Sequence, residues 1–236
     1  MRAALAFAGL LVAATASPEE LFPLDRDYSM MEQYPDMHAY HLAARDALLG
    51  RSNRHTCEAI VIPSFEREWA VYLQETPSGR EVVSTIMQSQ LWGEMHRAAE
   101  RPDHSIQAGD TKAALSSLPK DVWRFSAPLT ASTASLVEQS CAALLARAEV
   151  PPEPRRCIDG VGYQLFQSRP GLGARGGWAH CPSRESPAFR MLEILEDLRK
   201  TAGSSGADLM QRDMALARKA TQLLLALEST SGRPAR

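Results

Sequence analysis

Four cysteines and a few histidines are the residues of this chain whose types and spacing suit chemistry. Cys57, Cys141, Cys157 and Cys181 form an even set, which in an oxidising compartment reads as two disulfides. Three pairings are possible. Cys57–Cys141 with Cys157–Cys181 is preferred: the first ties a strand to a helix, and the second clamps the base of a hairpin. The alternative is a zinc site using all four, but no CxxC pair is present and zinc sites usually use such close spacing. Oxidised cysteines offer no thiolate for catalysis.

His38 and His41 stand three apart, a spacing that places both on one helix face. Together with His55 or His96, and with Asp36 nearby, they have the ligand types of a transition-metal site. The pattern lacks the glutamate of HExxH, however, so no general base accompanies it, and no metal is assigned. His180, beside Cys181 and facing Asp159, pairs a histidine with an acid but has no nucleophile to complete a triad. No GxSxG elbow occurs, and Ser64, between Pro63 and Phe65, reads as a strand reversal. Glu66 and Glu68 are expected to share one strand face. Glu193, Glu196 and Asp197 lie along a helix, where like charges mark a solvated face. Neither set is arranged about a substrate as glycoside hydrolysis requires. Gly171, Gly173 and Gly176 match the dinucleotide fingerprint by letter. The residues that follow look like a strand, whereas a phosphate site needs a helix N-terminus there. The glycines therefore read as a mobile hairpin loop, with Arg169 and Arg175 as an anion or partner contact. No cofactor is indicated.

The elements that must position these residues can be read in order. Residues 1–16 have a positive n-region at Arg2, an apolar run over 3–13 and the small residues Ala14-Thr15-Ala16, the three parts of a secretory signal peptide. The run falls short of the roughly 20 residues that span a bilayer. Residues 17–37, broken by Pro18, Pro23 and Pro35, form an irregular lead-in. A helix is predicted over 38–49, stopped by Gly50. Strands are predicted over 57–62, 69–73 and 81–87, the last two joined as a hairpin through Thr76-Pro77-Ser78-Gly79. Helical patterns follow over 91–100 and 112–118. A longer helix over 130–148 has Thr130, Ser132 or Thr133 as its cap and ends before Pro151-Pro152-Glu153-Pro154. Strands over 160–167 and 178–181 make a second hairpin. Ser186-Pro187 opens a helix, and a last helix runs over 207–228.

This order predicts an α+β fold: a mainly antiparallel sheet of about five strands, helices packed on one face, and two disulfides. The organisation is a signal peptide (1–16), a lead-in (17–37), an α+β domain (38–202) and a C-terminal helix (207–228) packed on the domain or at a homodimer contact. A net charge of −2 gives no basic excess for nucleic acid. Nor does a second apolar segment mark an integral membrane protein.

Two segments, 58–73 (Glu-Ala-Ile-Val-Ile-Pro-Ser-Phe-Glu-Arg-Glu-Trp-Ala-Val-Tyr-Leu) and 159–166 (Asp-Gly-Val-Gly-Tyr-Gln-Leu-Phe), resemble segments of small exported bacterial proteins of unassigned function. The resemblance implies a periplasmic setting and brings no activity with it. The expected function is a periplasmic or secreted binding protein, leaning away from an enzyme, whose partner is a protein or an envelope component. An inhibitor-like role is one form of this. The alternative is an envelope hydrolase assembled from His38, His41, Glu66, Asp159 and His180.

Overall fold

Central strands that are buried on both faces show as unbroken apolar runs, and two such runs organise this molecule. The computed structural model describes residues 21–23, 35–50, 55–100, 109–149, 160–169 and 173–231. The described residues form seven strands and six helices. They run in the order β1 (Phe22–Pro23), α1 (Pro35–Leu49), β2 (His55–Pro63), β3 (Trp69–Thr76), β4 (Gly79–Met87), α2 (Leu91–Ala99), α3 (Asp110–Ser117), β5 (Val122–Leu129), α4 (Ala131–Leu145), β6 (Val161–Arg169), β7 (Gly173–His180), α5 (Pro187–Ala202) and α6 (Gly206–Ser231). The strands make one sheet in the order β1-β7-β6-β2-β3-β4-β5, and every pair is antiparallel. The α+β class and the antiparallel sheet expected from sequence are present.

Two details of that expectation are corrected. The sheet has seven strands rather than about five, because β1 and β5 join its two edges. Helices cover both faces rather than one. Ala59, Val61, Val71 and Leu165 face one core shared with α4, α5 and α6, whereas Ile60, Ala70, Tyr72 and Val83 face a second core under α1, α2 and α3. The run Trp69-Ala70-Val71-Tyr72-Leu73 is buried along its whole length because alternate residues enter different cores. Of the two expected disulfides, one lies wholly among the described residues. Cys57 on β2 and Cys141 on α4 are bonded, with Cα atoms 6.4 Å apart. The proposed Cys157–Cys181 pair involves Cys157, which lies outside the described residues, and Cys181 is not a free thiol.

Helix placement rests on caps. Thr130 accepts the Thr133 amide at the start of α4, and Ser186 accepts the Phe189 amide at the start of α5. Asp213 of α6 reinforces the first: its carboxylate accepts the Thr130 amide at 3.2 Å and the Thr130 and Thr133 hydroxyls at 2.9 and 3.1 Å. A carboxylate suits that position, where helix amides lack partners and the dipole is positive. Leu216, Ala220, Leu223 and Leu227 of α6 are buried in the core shared with α4 and α5. Gly50, at φ +63°, ends α1 in the left-handed region.

The segment 171–177, expected to be a loop, is strand from Gly173 onward. Gly177 serves packing: a Cβ there would lie 2.8 Å from Leu21 Cδ2, so the glycine admits buried Leu21 beside β7. With β7 where a nucleotide site needs a helix, the fingerprint match carries no phosphate site.

The Cys57–Cys141 crosslink spans 84 residues, and closing a loop of that size contributes about 4 kcal/mol in the chain-entropy model. Replacing both cysteines with alanine is expected to lower the unfolding free energy by about 2–5 kcal/mol, as read from urea titration of the two proteins.

Candidate functional site

Three places in the fold gather polar or aromatic side chains. The first is structural. Glu68 precedes β3 and is fully buried. Its carboxylate accepts the amides of Leu91 and Trp92 at 2.9 and 3.0 Å, so it caps α2 from a distant point in the chain. Tyr40 of α1 donates to the same carboxylate at 2.5 Å. Burial, and then the adjacent Glu68, push the Tyr40 hydroxyl far above the ordinary phenol range, so it stays a donor. Glu68 thus fastens two helices to the start of β3. It does not share a strand face with Glu66, which is exposed in the bend between β2 and β3.

The second place lies between α1, β6 and β7. His41 Nδ1 is 2.8 Å from Gln164 Nε2. His38 and His180 are close enough to act on His41 electrostatically, and burial, then His38, then His180 hold its imidazole down to about 4. Burial also lowers His180. The sheet register explains the meeting: His180 pairs with Gly162, and Trp178 with Gln164, so Gln164, Trp178 and His180 share the face that α1 covers. His55 and His96, considered as further ligands, are engaged elsewhere. His55 bonds Glu58 at 2.9 Å and stacks on Tyr72, while His96 meets the edge of Trp92. Among the described residues no group of three or more His, Cys, Asp or Glu side chains is arranged to hold a metal. Asp159 lies outside the described residues, and the side chain of Asp36 is not among those described. Arg175 is exposed on β7, and the side chain of Arg169 is not among those described.

The third place is an open cleft of about 660 Å³, where the β2–β3 bend, the end of β4, α2, β5 and the C-terminal half of α5 meet. Its position follows from strong local ties. The Ser64 hydroxyl donates to the Gly160 carbonyl at 2.8 Å and accepts the Gly160 amide at 3.0 Å, which pins the bend to the start of β6. Gln90 donates to the Ser64 carbonyl at 3.0 Å, which ties the bend to α2. Phe65, Arg67, Trp69, Trp123, Arg97 and Arg199 supply most of the character of the cleft. Arg67 stacks 4.8 Å from the Trp123 ring centre and Arg199 lies 5.1 Å from that of Trp69, both within cation–π range. Phe65 is 77 % exposed and Trp123 42 %. Glu66 and Glu94 also line the cleft, and none of the histidines does. The six candidates of the hydrolase and contact readings therefore divide. His38, His41 and His180 come together, Glu66 lies on the cleft, Arg175 stands on β7, and Asp159 is outside the described residues.

The chain matches no protein family, no curated protein and no solved structure. Function therefore has to be argued from the geometry. The histidine cluster offers proton-accepting and hydrogen-bonding groups, but among the described residues no nucleophile joins it. The cleft offers the Arg67 guanidinium held over the Trp123 indole, a combination that receives carboxylates and planar groups with little reordering, whereas the Arg199 guanidinium already donates to Glu196.

The lowered His41 fixes the sign of one pH effect. An unfolded histidine titrates at about 6.5 and His41 in the fold at about 4, so between these values the unfolded chain binds more protons. Stability is therefore full above pH about 6.5 and falls as pH drops towards 4. Because His41 keeps some solvent contact, the loss is expected to be about 2 kcal/mol. Urea midpoints of the protein and of His41→Gln, taken from pH 7.5 down to 4.5, are expected to diverge, with the variant losing less. Parallel curves would contradict the assignment.

Proposed function

We propose that the protein is an exported, non-enzymatic binding module that uses the aromatic–arginine cleft to hold a partner protein or an envelope component. The observation that carries this reading is the stacking of Arg67 on the half-exposed Trp123 beside the exposed Phe65. Exposed aromatics and arginines are the residue types that dominate recognition surfaces. Elsewhere in soluble proteins, large aromatic side chains are drawn into cores. The groups of this cleft favour a partner segment carrying acidic side chains next to apolar or aromatic ones.

The export part of the proposal rests on residues 1–16 and is supported by the Cys57–Cys141 disulfide, since such bonds persist in oxidising compartments. The setting that follows is the periplasm or the exterior. Among the described residues no helix is long and apolar enough to cross a membrane. An inhibitor-like role remains one form of the same proposal. The hydrolase alternative draws on the His38, His41 and His180 cluster but lacks an acid or nucleophile joined to it among the described residues.

Crosslinked affinity capture from the envelope fraction distinguishes the two. The tagged protein is compared with the double variant Arg67→Ala/Trp123→Ala and with His38→Ala/His180→Ala. One stoichiometric partner is expected with the parent and with the histidine variant, reduced at least tenfold with the cleft variant. Capture that the cleft variant leaves intact, or no partner for a folded and exported protein, would contradict the proposal.

A further inference from the structure

β5 closes one edge of the sheet, and among the described residues no strand pairs with its outer side. Its hydrogen-bonding phase can be worked out from β4. The Met87 amide donates to the Glu68 carbonyl, towards β3, and the Gln88 amide donates to the Asp121 carbonyl, towards β5. Amides alternate along a strand. With Ile86 opposite Trp123, Ser84 opposite Phe125 and Val82 opposite Ala127, the amides of Trp123, Phe125 and Ala127 are taken up by β4. Those of Val122, Arg124 and Ser126 point outward. Pro128, next in that outward series, has no amide to offer.

Natural edges are usually guarded by charge, proline, bulges or a covering element. Here the register with β4 is unbroken and proline guards only the far end. The charge at Arg124 leans back across the sheet: its guanidinium lies 5.6 Å from the Tyr72 ring centre and 3.5 Å from Gln74 Oε1. Phe125 is 44 % exposed and Trp123 42 %. Among the described residues the result is an open strand edge with aromatic side chains and backbone groups that no other strand takes up, a template for another strand.

We infer that a second copy of this chain occupies that edge, with the two β5 strands antiparallel about a two-fold axis through Phe125. The strand is self-complementary in this register. Arg124 pairs with the partner's Ser126, and Ser126 with the partner's Arg124, using the outward amides and carbonyls of both. Phe125 meets the partner's Phe125 in the pair type that has no backbone bonds and brings side chains closest. Trp123 meets the partner's Ala127, a large residue against a small one. Pro128 falls opposite the partner's Val122, at the margin, where its missing amide removes only a terminal bond. Shifting the axis to residue 124 sets two guanidinium groups directly opposite each other, which is unfavourable. Shifting it to residue 126 brings Pro128 against Arg124 in the centre. An isologous contact of this kind also closes on itself and leaves no free β5 edge.

The test is sedimentation equilibrium of the purified protein with two variants. Ser126→Pro removes an outward amide that β4 does not use. Phe125→Cys places a thiol on the axis opposite its own copy, at a separation of about 4.5 Å between Cα atoms, within disulfide reach. The parent is expected at twice the protomer mass, and Ser126→Pro at least tenfold weaker in self-association with an unchanged circular dichroism spectrum. Phe125→Cys is expected to form an interchain disulfide on mild oxidation, where Ser135→Cys does not. A monomeric parent at micromolar concentration overturns the inference, as does a dimer in which Phe125→Cys fails to crosslink. The cleft residues Arg67 and Arg97 are untouched by these variants, so failure here leaves the partner-binding proposal standing.

Discussion

The buried carboxylate of Glu68 is the constraint on which the arrangement of this molecule depends. It sits at the meeting point of β3, α1 and α2 and satisfies three donors: two α2 amides and the Tyr40 hydroxyl. A buried donor left without an acceptor costs about 1–3 kcal/mol, so one side chain governs several such costs. Gln90, at the N-cap of α2, supplies no side-chain cap of its own and instead binds the Ser64 carbonyl. The tertiary cap therefore frees Gln90 to hold the bend that carries Phe65 and Arg67. In this way a buried charge on one face of the sheet fixes the wall of an exposed cleft beside the other. Asp213 repeats the device at the start of α4, which joins α6 to the layer beneath it.

Much of the fold was legible in the sequence because local signals and tertiary outcome agree. Gly50, the Thr76–Gly79 turn, Thr130 and Ser186-Pro187 mark boundaries by backbone geometry that no other residue types supply as readily. The coverage of both sheet faces was legible too, although the expectation was for one. The runs Ala59-Ile60-Val61 and Trp69-Ala70-Val71-Tyr72-Leu73 lack the polar alternation that a half-exposed sheet imposes. β5 was hidden for the opposite reason. Val122-Trp123-Arg124-Phe125-Ser126 lies on an edge, has exposed residues on both sides and ends in a proline, so neither period nor apolar density marks it. β1 contributes only two residues and is held by Leu21 entering the core over Gly177, a match between residues far apart in the chain.

The functional surface was less legible. His38, His41 and His180 were singled out by type, and the register of β6 with β7 brings His180 under the helix that carries the other two. Gln164, the hydrogen-bond partner of His41, gave no signal, because a glutamine in an apolar strand resembles a solvent-facing residue until the covering helix is known. Glu68 was grouped with Glu66 by proximity in sequence, yet Arg67 alone separates an exposed acid from a fully buried one. The cleft draws on five separated segments, and only the aromatic and arginine types were visible beforehand. A signal did exist for Glu68: an acid directly before a continuous apolar run must be buried with partners or break the run.

Glu68 holds α2 in place, and native-state hydrogen exchange at the Leu91 and Trp92 amides tests this most directly. In an ordinary helix the first-turn amides exchange quickly, because they lack intrahelical partners. Here both amides are predicted to exchange as slowly as those of β3, and Glu68→Gln, which presents a donor to donors, is predicted to speed them at least a hundredfold while Asp213 still protects the start of α4. Fast exchange at Leu91 and Trp92 in the parent protein, or protection unchanged in Glu68→Gln, would contradict it.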